Sequence, residues 1–159
     1  RKYGGLEWRF TFFFLFCCNP IPGDPIMGYI TRGRGVTVHR TDCPNAKELY
    51  KQPEGRLIDV RWDMGVQVEQ VDQSYRTRMR VETTDRPGML NAVTSVISNQ
   101  GVNIYSANAR TTKQRTGVLD FSIEVANAQQ LQALIRALLR VNGVTKVFRS
   151  DSPSSKDEA

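Results

Sequence analysis

The side chains of this sequence that could bind a soft metal ion all lie within one short window. The three cysteines and the single histidine of the 159-residue chain are Cys17, Cys18, His39 and Cys43. Thiolate and imidazole are favoured ligands of Zn²⁺, which usually takes four of them in a tetrahedral arrangement. Their spacing differs from the common C-x2-C pattern, so it leaves two interpretations open: a structural zinc site, or buried free thiols beside an incidental histidine.

A catalytic zinc would also need an open coordination position and a general base. No glutamate lies close in sequence to His39, which favours a closed, structural site. If the side chains of Cys17 and Cys18 diverge, Asp24, Asp42 or a water molecule could supply the fourth ligand. The odd number of cysteines disfavours a secreted disulfide framework and favours a reducing, cytoplasmic location.

A second stretch with chemical potential is TTDRPGML, where Asp85 to Gly88 connect a predicted strand to a predicted helix. Gly88 would let a ligand approach the backbone, and the unpaired N–H groups at the helix N-terminus can hold a carboxylate. Ordinary turn chemistry explains the same residues, with an aspartate cap, a proline in the turn and a flexible glycine. The residues alone favour the turn.

Basic residues suggest an anionic partner. The net charge is +6, which favours an anionic partner such as RNA, with a solvated basic surface as the alternative. Arg76, Arg78 and Arg80 alternate with apolar residues and are predicted on one face of a strand, where they could meet phosphates. RNA-recognition modules also need exposed aromatics on the third strand of their sheet, and VLDFSIEV offers only Phe121, which is expected to point inward. Base-specific reading of RNA is therefore not expected, and backbone contact remains open.

The elements that must position these residues begin with a lead-in, residues 1–16. The apolar stretch RFTFFFLFCC is too short to span a bilayer and indicates a buried strand. Residues 17–63 are predicted to form a small module, in which MGYIT and GVTVH flank RGRG as a hairpin with Arg32 and Arg34 at its tip. A chain of this length buries little core, so a metal ion is a common source of stability.

The same module is predicted to contain a short helix and a further strand. DCPNAKELYK begins with Asp42 or Cys43 as the cap and has Pro44 in the first turn, where its missing N–H costs nothing. RLIDVRWD predicts the strand. The metal-binding candidates therefore lie at the ends of predicted elements.

Residues 64–74 are interpreted as a linker, and residues 75–150 follow the order βαββαβ. Asn127 and Gln130 have the spacing of a capping box at the start of the second helix. This order predicts a ferredoxin-like plait, an antiparallel four-stranded sheet with both helices on one face. The fold class is thus α+β, and the polar tail 151–159 is expected to be disordered.

Two stretches together resemble a known family. CCNPIPGDPIMGYITRGRGVTVHRTDCPNA resembles the zinc-finger (conserved-cysteine) module of long (p)ppGpp synthetase/hydrolases, the RelA/SpoT family, and VETTDRPGMLNAVTSVISNQGVNI resembles the ACT domain that ends them. The resemblance covers about residues 17–150, whereas residues 1–16 do not resemble the usual lead-in. It implies a structural zinc ion with four ligands, Cys17, Cys18, His39 and Cys43.

The resemblance also implies a regulatory role in the stringent response. Such regions dock on large-subunit ribosomal RNA near uncharged tRNA and control the catalytic half of the parent protein. The basic residues expected to contact RNA phosphates are Arg32, Arg34 and Arg40. No membrane association is expected.

An alternative function is an amino-acid-sensing ACT domain, because ACT domains commonly bind amino acids between paired domains. Such a chain would act as a homodimerisation module with a small-molecule ligand. The predicted ligand-binding residues are Asp85, Arg86, Pro87, Gly88, Met89, Leu90 and Asn103.

Catalysis by this chain is not expected, although full-length family members are GTP pyrophosphokinases or guanosine-bis(diphosphate) 3′-pyrophosphohydrolases. The single His39 cannot supply an HD metal cluster, and no nucleotide-phosphate loop is visible. The chain is interpreted as a fragment or as the product of a disrupted reading frame.

Overall fold

The structure is a computed structural model that describes residues 12–14, 18–33, 35–51, 56–62 and 74–150. The chain divides into two compact units, with the boundary between Asp72 and Gln73. Most of the predicted linker and the whole predicted tail lie outside the described residues. Among the described helices, none combines the length and apolar composition that a membrane crossing requires.

The first unit contains one four-stranded sheet and one helix. Its elements are β1 (Phe12–Phe14), β2 (Ile26–Thr31), β3 (Gly35–Arg40), α1 (Pro44–Tyr50) and β4 (Leu57–Ile58). The strand order is β1-β3-β2-β4, with β2 and β3 as an antiparallel hairpin and β1 parallel to β3. The predicted lead-in strand and hairpin are confirmed.

Helix α1 begins as predicted, with Cys43 at the N-cap and Pro44 in the first turn. The predicted strand RLIDVRWD is shorter than expected, because β4 pairs with β2 only at Gly28 and Tyr29. The apolar core around the cysteines is correspondingly small and consists of Cys18, Met27, Cys43 and Ala46.

The second unit is the predicted plait. Its elements are β5 (Tyr75–Thr84), α2 (Met89–Asn99), β6 (Asn103–Thr111), β7 (Thr116–Val125), α3 (Ala128–Leu139) and β8 (Val144–Arg149). All three strand pairs are antiparallel, and the order is β6-β7-β5-β8. Two split βαβ units produce this order.

Alternation along β5 determines which residues enter the core of this unit. Thr77, Met79 and Val81 are buried between sheet and helices, while Arg76 and Arg78 are exposed on the other side. We call this second side, opposite the helices, the open face. Helix α2 buries its predicted stripe of Met89, Val93 and Ile97, and α3 buries Leu131, Leu134 and Leu138.

Local signals also set the start of α3. The Asn127 side chain accepts a hydrogen bond from the Gln130 backbone at 2.8 Å, as predicted. The Gln130 side chain accepts from the Ala126 backbone N–H at 2.7 Å. This return bond falls one residue before the cap itself, so the capping box is present in a shifted form.

Candidate metal centre and ligand pocket

The first candidate site is a buried group of two thiols and one imidazole. Cys18 precedes β2 in a turn, His39 lies near the end of β3, and Cys43 caps α1. Their ligand atoms all lie within 4.8 Å of one another. Three separate elements thus bring together residues that are up to 25 positions apart in the chain.

The distances within this group suit a zinc ion. Cys18 Sγ lies 3.8 Å from His39 Nδ1, and two such ligands of a tetrahedral zinc are ~3.5 Å apart, given Zn–S and Zn–N bonds of ~2.3 and ~2.0 Å. Burial lowers the pKa of His39 below its ordinary value, which keeps the imidazole neutral and able to coordinate. The types of these three side chains and the distances between them therefore fit a metal ion that takes three of its ligands from Cys18, His39 and Cys43.

Neither aspartate that could have been a fourth ligand joins this group. Asp24 Oδ2 accepts a hydrogen bond from the Ile21 backbone at 2.9 Å. The two carboxylate oxygens of Asp42 accept from Arg40 Nε at 2.9 Å and from Arg40 Nη2 at 2.6 Å. The other candidate, Cys17, lies outside the described residues.

The position of Arg40 corrects one prediction. This residue is only 7% exposed, and its guanidinium forms a two-bond ion pair with Asp42, so it is not placed to contact RNA. Its backbone carbonyl accepts from the Cys43 backbone N–H at 3.1 Å. Arg40 therefore holds the tight turn between β3 and the Cys43 cap. Arg32 is exposed at the hairpin tip as predicted, and Arg34 lies outside the described residues.

The second candidate site is a cavity of about 250 Å³ beside the N-terminus of α2. Ligand pockets usually occupy ~300–1,000 Å³, so this cavity would take only a small molecule. It lies between the β5–α2 connection and the ends of β6 and β7. The lining residues are Thr83, Thr84, Asp85, Arg86, Met89, Leu90, Ala109, Arg110, Thr111, Gly117 and Leu119.

Four of the seven predicted ligand-binding residues line this cavity: Asp85, Arg86, Met89 and Leu90. Pro87 and Gly88 are not among the lining residues. Gly88 has φ of +84°, a left-handed backbone conformation that favours glycine. A Cβ at this position would meet no other atom within 4 Å.

Asn103 lies away from the cavity, at the opposite end of β6, which is a correction to the predicted site. Its side-chain amide donates to Glu124 Oε2 at 2.9 Å. This bond lowers the pKa of Glu124 below its ordinary value, and Arg76 adds a smaller effect in the same direction. The wall of the cavity opposite the β5–α2 connection is instead formed by Ala109, Arg110 and Thr111. The sequence did not predict these residues, because their types on a strand do not indicate ligand binding.

Arg86 lines the cavity, and contacts with residues next to the cavity hold its guanidinium in place. Its Nη2 donates to the Asn142 carbonyl, and its Nε lies 3.4 Å from Met89 Sδ. The Thr84 backbone N–H donates to the Gly143 carbonyl at 2.8 Å. The loop that forms one wall of the cavity is thus fastened to the turn between α3 and β8.

Two domain families match the chain. Residues 3–63 match the RelA/SpoT RIS domain, and residues 71–149 match the ACT domain. The first match begins well before the cysteine pair. Together the matches leave only short stretches of the sequence unassigned.

Several relatives contain both regions. The chain is 45% identical over 133 residues to a GTP pyrophosphokinase of Myxococcus xanthus, with 84% of this chain and 16% of that protein covered. It is 40% identical over 136 residues to the bifunctional (p)ppGpp synthase/hydrolase RelA of Mycobacterium tuberculosis, with 86% and 18% covered. The chain thus spans less than a fifth of the length of these relatives.

A solved structure matches about half of the chain. It is the crystal structure of the ACT domain from the GTP pyrophosphokinase of Chlorobium tepidum, 30% identical, with 48% of this chain and 99% of that one covered and a TM-score of 0.44. The matched part of the relatives comprises the RIS and ACT portion alone. The prediction that this chain is a non-catalytic portion of such an enzyme is therefore confirmed.

Proposed function

Because the chain belongs to the RelA/SpoT family and carries its RIS and ACT domains, we propose that it is a regulatory module of a (p)ppGpp synthetase/hydrolase. In this proposal the first unit docks on ribosomal RNA near uncharged tRNA. Docking would change how the module restrains the catalytic half of the parent protein.

The observation that carries the proposal is the buried group of Cys18, His39 and Cys43 at the base of a basic hairpin. These residues would hold a structural zinc ion, with Cys17 as the fourth ligand. A bound zinc ion would supply folding free energy to a unit whose apolar core is small. Its effect on function would be to hold β2 and β3 in one geometry, so that the tip between them meets RNA as a rigid surface.

The proposed contact is electrostatic and does not read sequence. Arg32 lies exposed at the tip of the β2–β3 hairpin, and Arg34 belongs to the same four-residue stretch. Arginine side chains bind phosphate oxygens without base specificity, and the affinity falls steeply as salt rises. Docking by this unit should therefore be strongly salt-dependent.

Co-sedimentation with ribosomes that carry uncharged tRNA tests this proposal. We expect the double variant Arg32→Glu/Arg34→Glu to lose association at moderate salt, since both changes reverse a charge at the proposed contact. The control is Lys47→Glu, which changes the charge of an exposed residue on α1, beyond the other end of β3. Equal sedimentation of the double variant and the unchanged chain would contradict the proposed contact.

The cavity beside α2 supports a second candidate function, the binding of an amino acid. The helix N-terminus and Arg110 would favour its carboxylate, and Leu90 and Leu119 would contact an apolar side chain. The likeness to ACT domains favours a site completed by a second copy of the chain. Homodimerisation is thus part of this candidate function.

Calorimetric titration with the twenty amino acids tests the second candidate. Ala109 lines the cavity, so Ala109→Leu should fill it and abolish binding. Ala107→Leu is the matched control, because Ala107 lies two positions earlier on the same face of β6 and does not line the cavity. No binding up to millimolar concentration rejects the sensor function, and equal binding by both variants rejects this location.

A further inference from the structure

One buried hydroxyl group of the second unit adjoins the cavity beside α2. Thr83 is only 2% exposed, lies near the end of β5 and lines this cavity. Its side chain is on the helix-facing side of the strand, with Met79 and Val81, and not on the open face. Within the part of the chain that the structure describes, the Thr83 hydroxyl has no hydrogen-bond partner.

The residue opposite Thr83 leaves this hydroxyl uncovered. Thr83 is in register with Gly117 on β7, which also lines the cavity. A Cβ at position 117 would lie 2.4 Å from Thr83 Oγ1, so a larger residue could not share this space with the hydroxyl. Thr77 provides a contrast, because it is equally buried on the same face of β5 but lies opposite Ile123 and does not line the cavity.

A buried hydroxyl without a partner is unfavourable for folding. Most buried polar groups in proteins are hydrogen-bonded, and an unsatisfied one retains the cost of losing its water. Valine has nearly the same shape as threonine and would avoid this cost between the apolar neighbours of Thr83. A ligand in the cavity that carries a hydrogen-bonding group would instead give the hydroxyl a partner.

The other groups around the cavity restrict the chemistry of such a ligand. Helix α2 begins at Met89, and its N-cap, Gly88, supplies no side-chain hydrogen bond, so the first N–H groups of the helix can bind a carboxylate. Asp85 lines the cavity and would attract an ammonium group while it repels a second carboxylate. Leu119 adds an apolar surface. A small amino acid with a neutral polar side chain satisfies all of these conditions.

We propose that this cavity selects an amino acid with a small hydroxyl side chain, serine or threonine, and that Thr83 is the residue that selects it. The inference rests on the amino-acid-binding function proposed above for the cavity. The ligand hydroxyl would form a hydrogen bond with Thr83 Oγ1, and the methyl group of threonine would contact Leu119. An amino acid of the same shape without the hydroxyl is disfavoured, because the Thr83 hydroxyl then stays unpaired.

Calorimetric titration of the whole chain with threonine and with valine tests this inference. The two amino acids have nearly the same shape and differ in one hydroxyl group. We expect threonine to bind about fivefold more tightly than valine, the effect of one net hydrogen bond. Serine and alanine form a second pair with the same difference, and serine should bind more tightly by a similar factor.

Three variants assign the preference to one side chain. Thr83→Val removes the hydroxyl with little change of shape and should abolish the preference for threonine over valine. Thr83→Ser keeps the hydroxyl and should retain the preference. Thr77→Val is the matched control, because it removes a buried hydroxyl from the same face of β5 at a position that does not line the cavity. Thermal unfolding establishes that each variant is folded.

The outcomes separate this inference from the function on which it rests. Equal or weaker binding of threonine than of valine by the unchanged chain overturns the inference, and so does a preference that survives in Thr83→Val. In both cases the cavity still binds an amino acid, so the sensor function stands. Absence of binding by all four amino acids up to millimolar concentration rejects the sensor function and this inference together.

Discussion

At the scale of single residues, two adjacent buried side chains have different roles: one is a candidate metal ligand and the other fixes the turn that follows it. His39 and Arg40 are adjacent and both buried, yet only His39 belongs to the candidate metal group. Arg40 instead fixes Asp42 and, through its carbonyl, the N–H of Cys43. Arg40 thus supports a candidate ligand through its contacts with the turn, and its side chain is buried.

Replacement of Arg40 should destabilise the first unit. We expect Arg40→Gln to lower its free energy of unfolding by about 1–3 kcal/mol, because the two hydrogen bonds from a buried guanidinium to the Asp42 carboxylate are lost. Arg40→Lys should recover only part of this, since an ammonium cannot form the two-bond pair. Thermal unfolding with bound zinc measures both variants, and wild-type stability of Arg40→Gln would contradict the positioning role.

The contact between Asn103 and Glu124 predicts a pH effect. The folded-state pKa of Glu124 is lowered, first by the Asn103 hydrogen bond and then by Arg76, so its contribution to stability is present above the unfolded pKa and lost as pH falls through the folded one. We expect Asn103→Ala to raise the pKa of Glu124 toward its ordinary value. Carbon-detected NMR titration of the carboxylates would show this, and an unchanged pKa would contradict the contact.

At the scale of elements, the second unit could be predicted almost completely from the sequence. The period-2 alternation of β5, the helical stripes of α2 and α3 and the cap at Asn127 all gave the observed element types and order. Such local patterns predict secondary structure well, because the apolar residues mark the face of each helix or strand that is buried in the core. The register shift beside Tyr105 was not predictable, because it depends on how β6 meets β7 and leaves no mark in composition.

The candidate sites also contain residues that could be predicted from the sequence and residues that could not. Cys18, His39 and Cys43 were identifiable by chemical type, and the structure brings them together. The position of Asn103 at the far end of β6 was not identifiable, because strand direction and length decide which residues face a loop.

A close approach between β5 and β7 predicts a stability effect at Gly117. A Cβ at this position would lie 2.4 Å from Thr83 Oγ1, and Thr83 is buried. We expect Gly117→Ala to destabilise the second unit by about 1–3 kcal/mol through overpacking. The variant Gly117→Ala/Thr83→Ala should recover part of this loss in chemical denaturation, and no recovery would show that the clash is not with Thr83.

At the scale of the whole molecule, two units with separate cores have different sources of stability. The second unit buries two helical stripes and the central strands of its sheet. Among the described residues, the first unit buries eight apolar side chains and the second unit fourteen. Hydrophobic burial can therefore sustain the second unit alone, whereas we expect the first to depend on the proposed zinc ion.

Removal of zinc by a chelator should unfold the first unit and leave the second unit folded. Freshly purified chain should contain one zinc ion per molecule by elemental analysis, and removal of that ion should unfold residues 17–63 and leave residues 75–150 folded. Amide hydrogen exchange measures this directly, with loss of protection expected only in the first unit. Substoichiometric zinc in the purified chain, or unchanged protection of β2 and β3 after chelation, would contradict the prediction.

The strand order of the second unit also determines when the unit can fold during synthesis. Strand β8 flanks β5, and the Thr145 side chain donates to the Glu82 carbonyl, a contact between residues 63 positions apart. While β8 is still inside the exit tunnel, β5 has one bare edge, and a bare edge can pair with strands of other chains. Because β8 is the last strand of this unit to be made, its sheet closes only after translation of the whole unit. A ribosome that pauses while β8 is still inside the tunnel would therefore leave one edge of β5 open to pairing with strands of other chains.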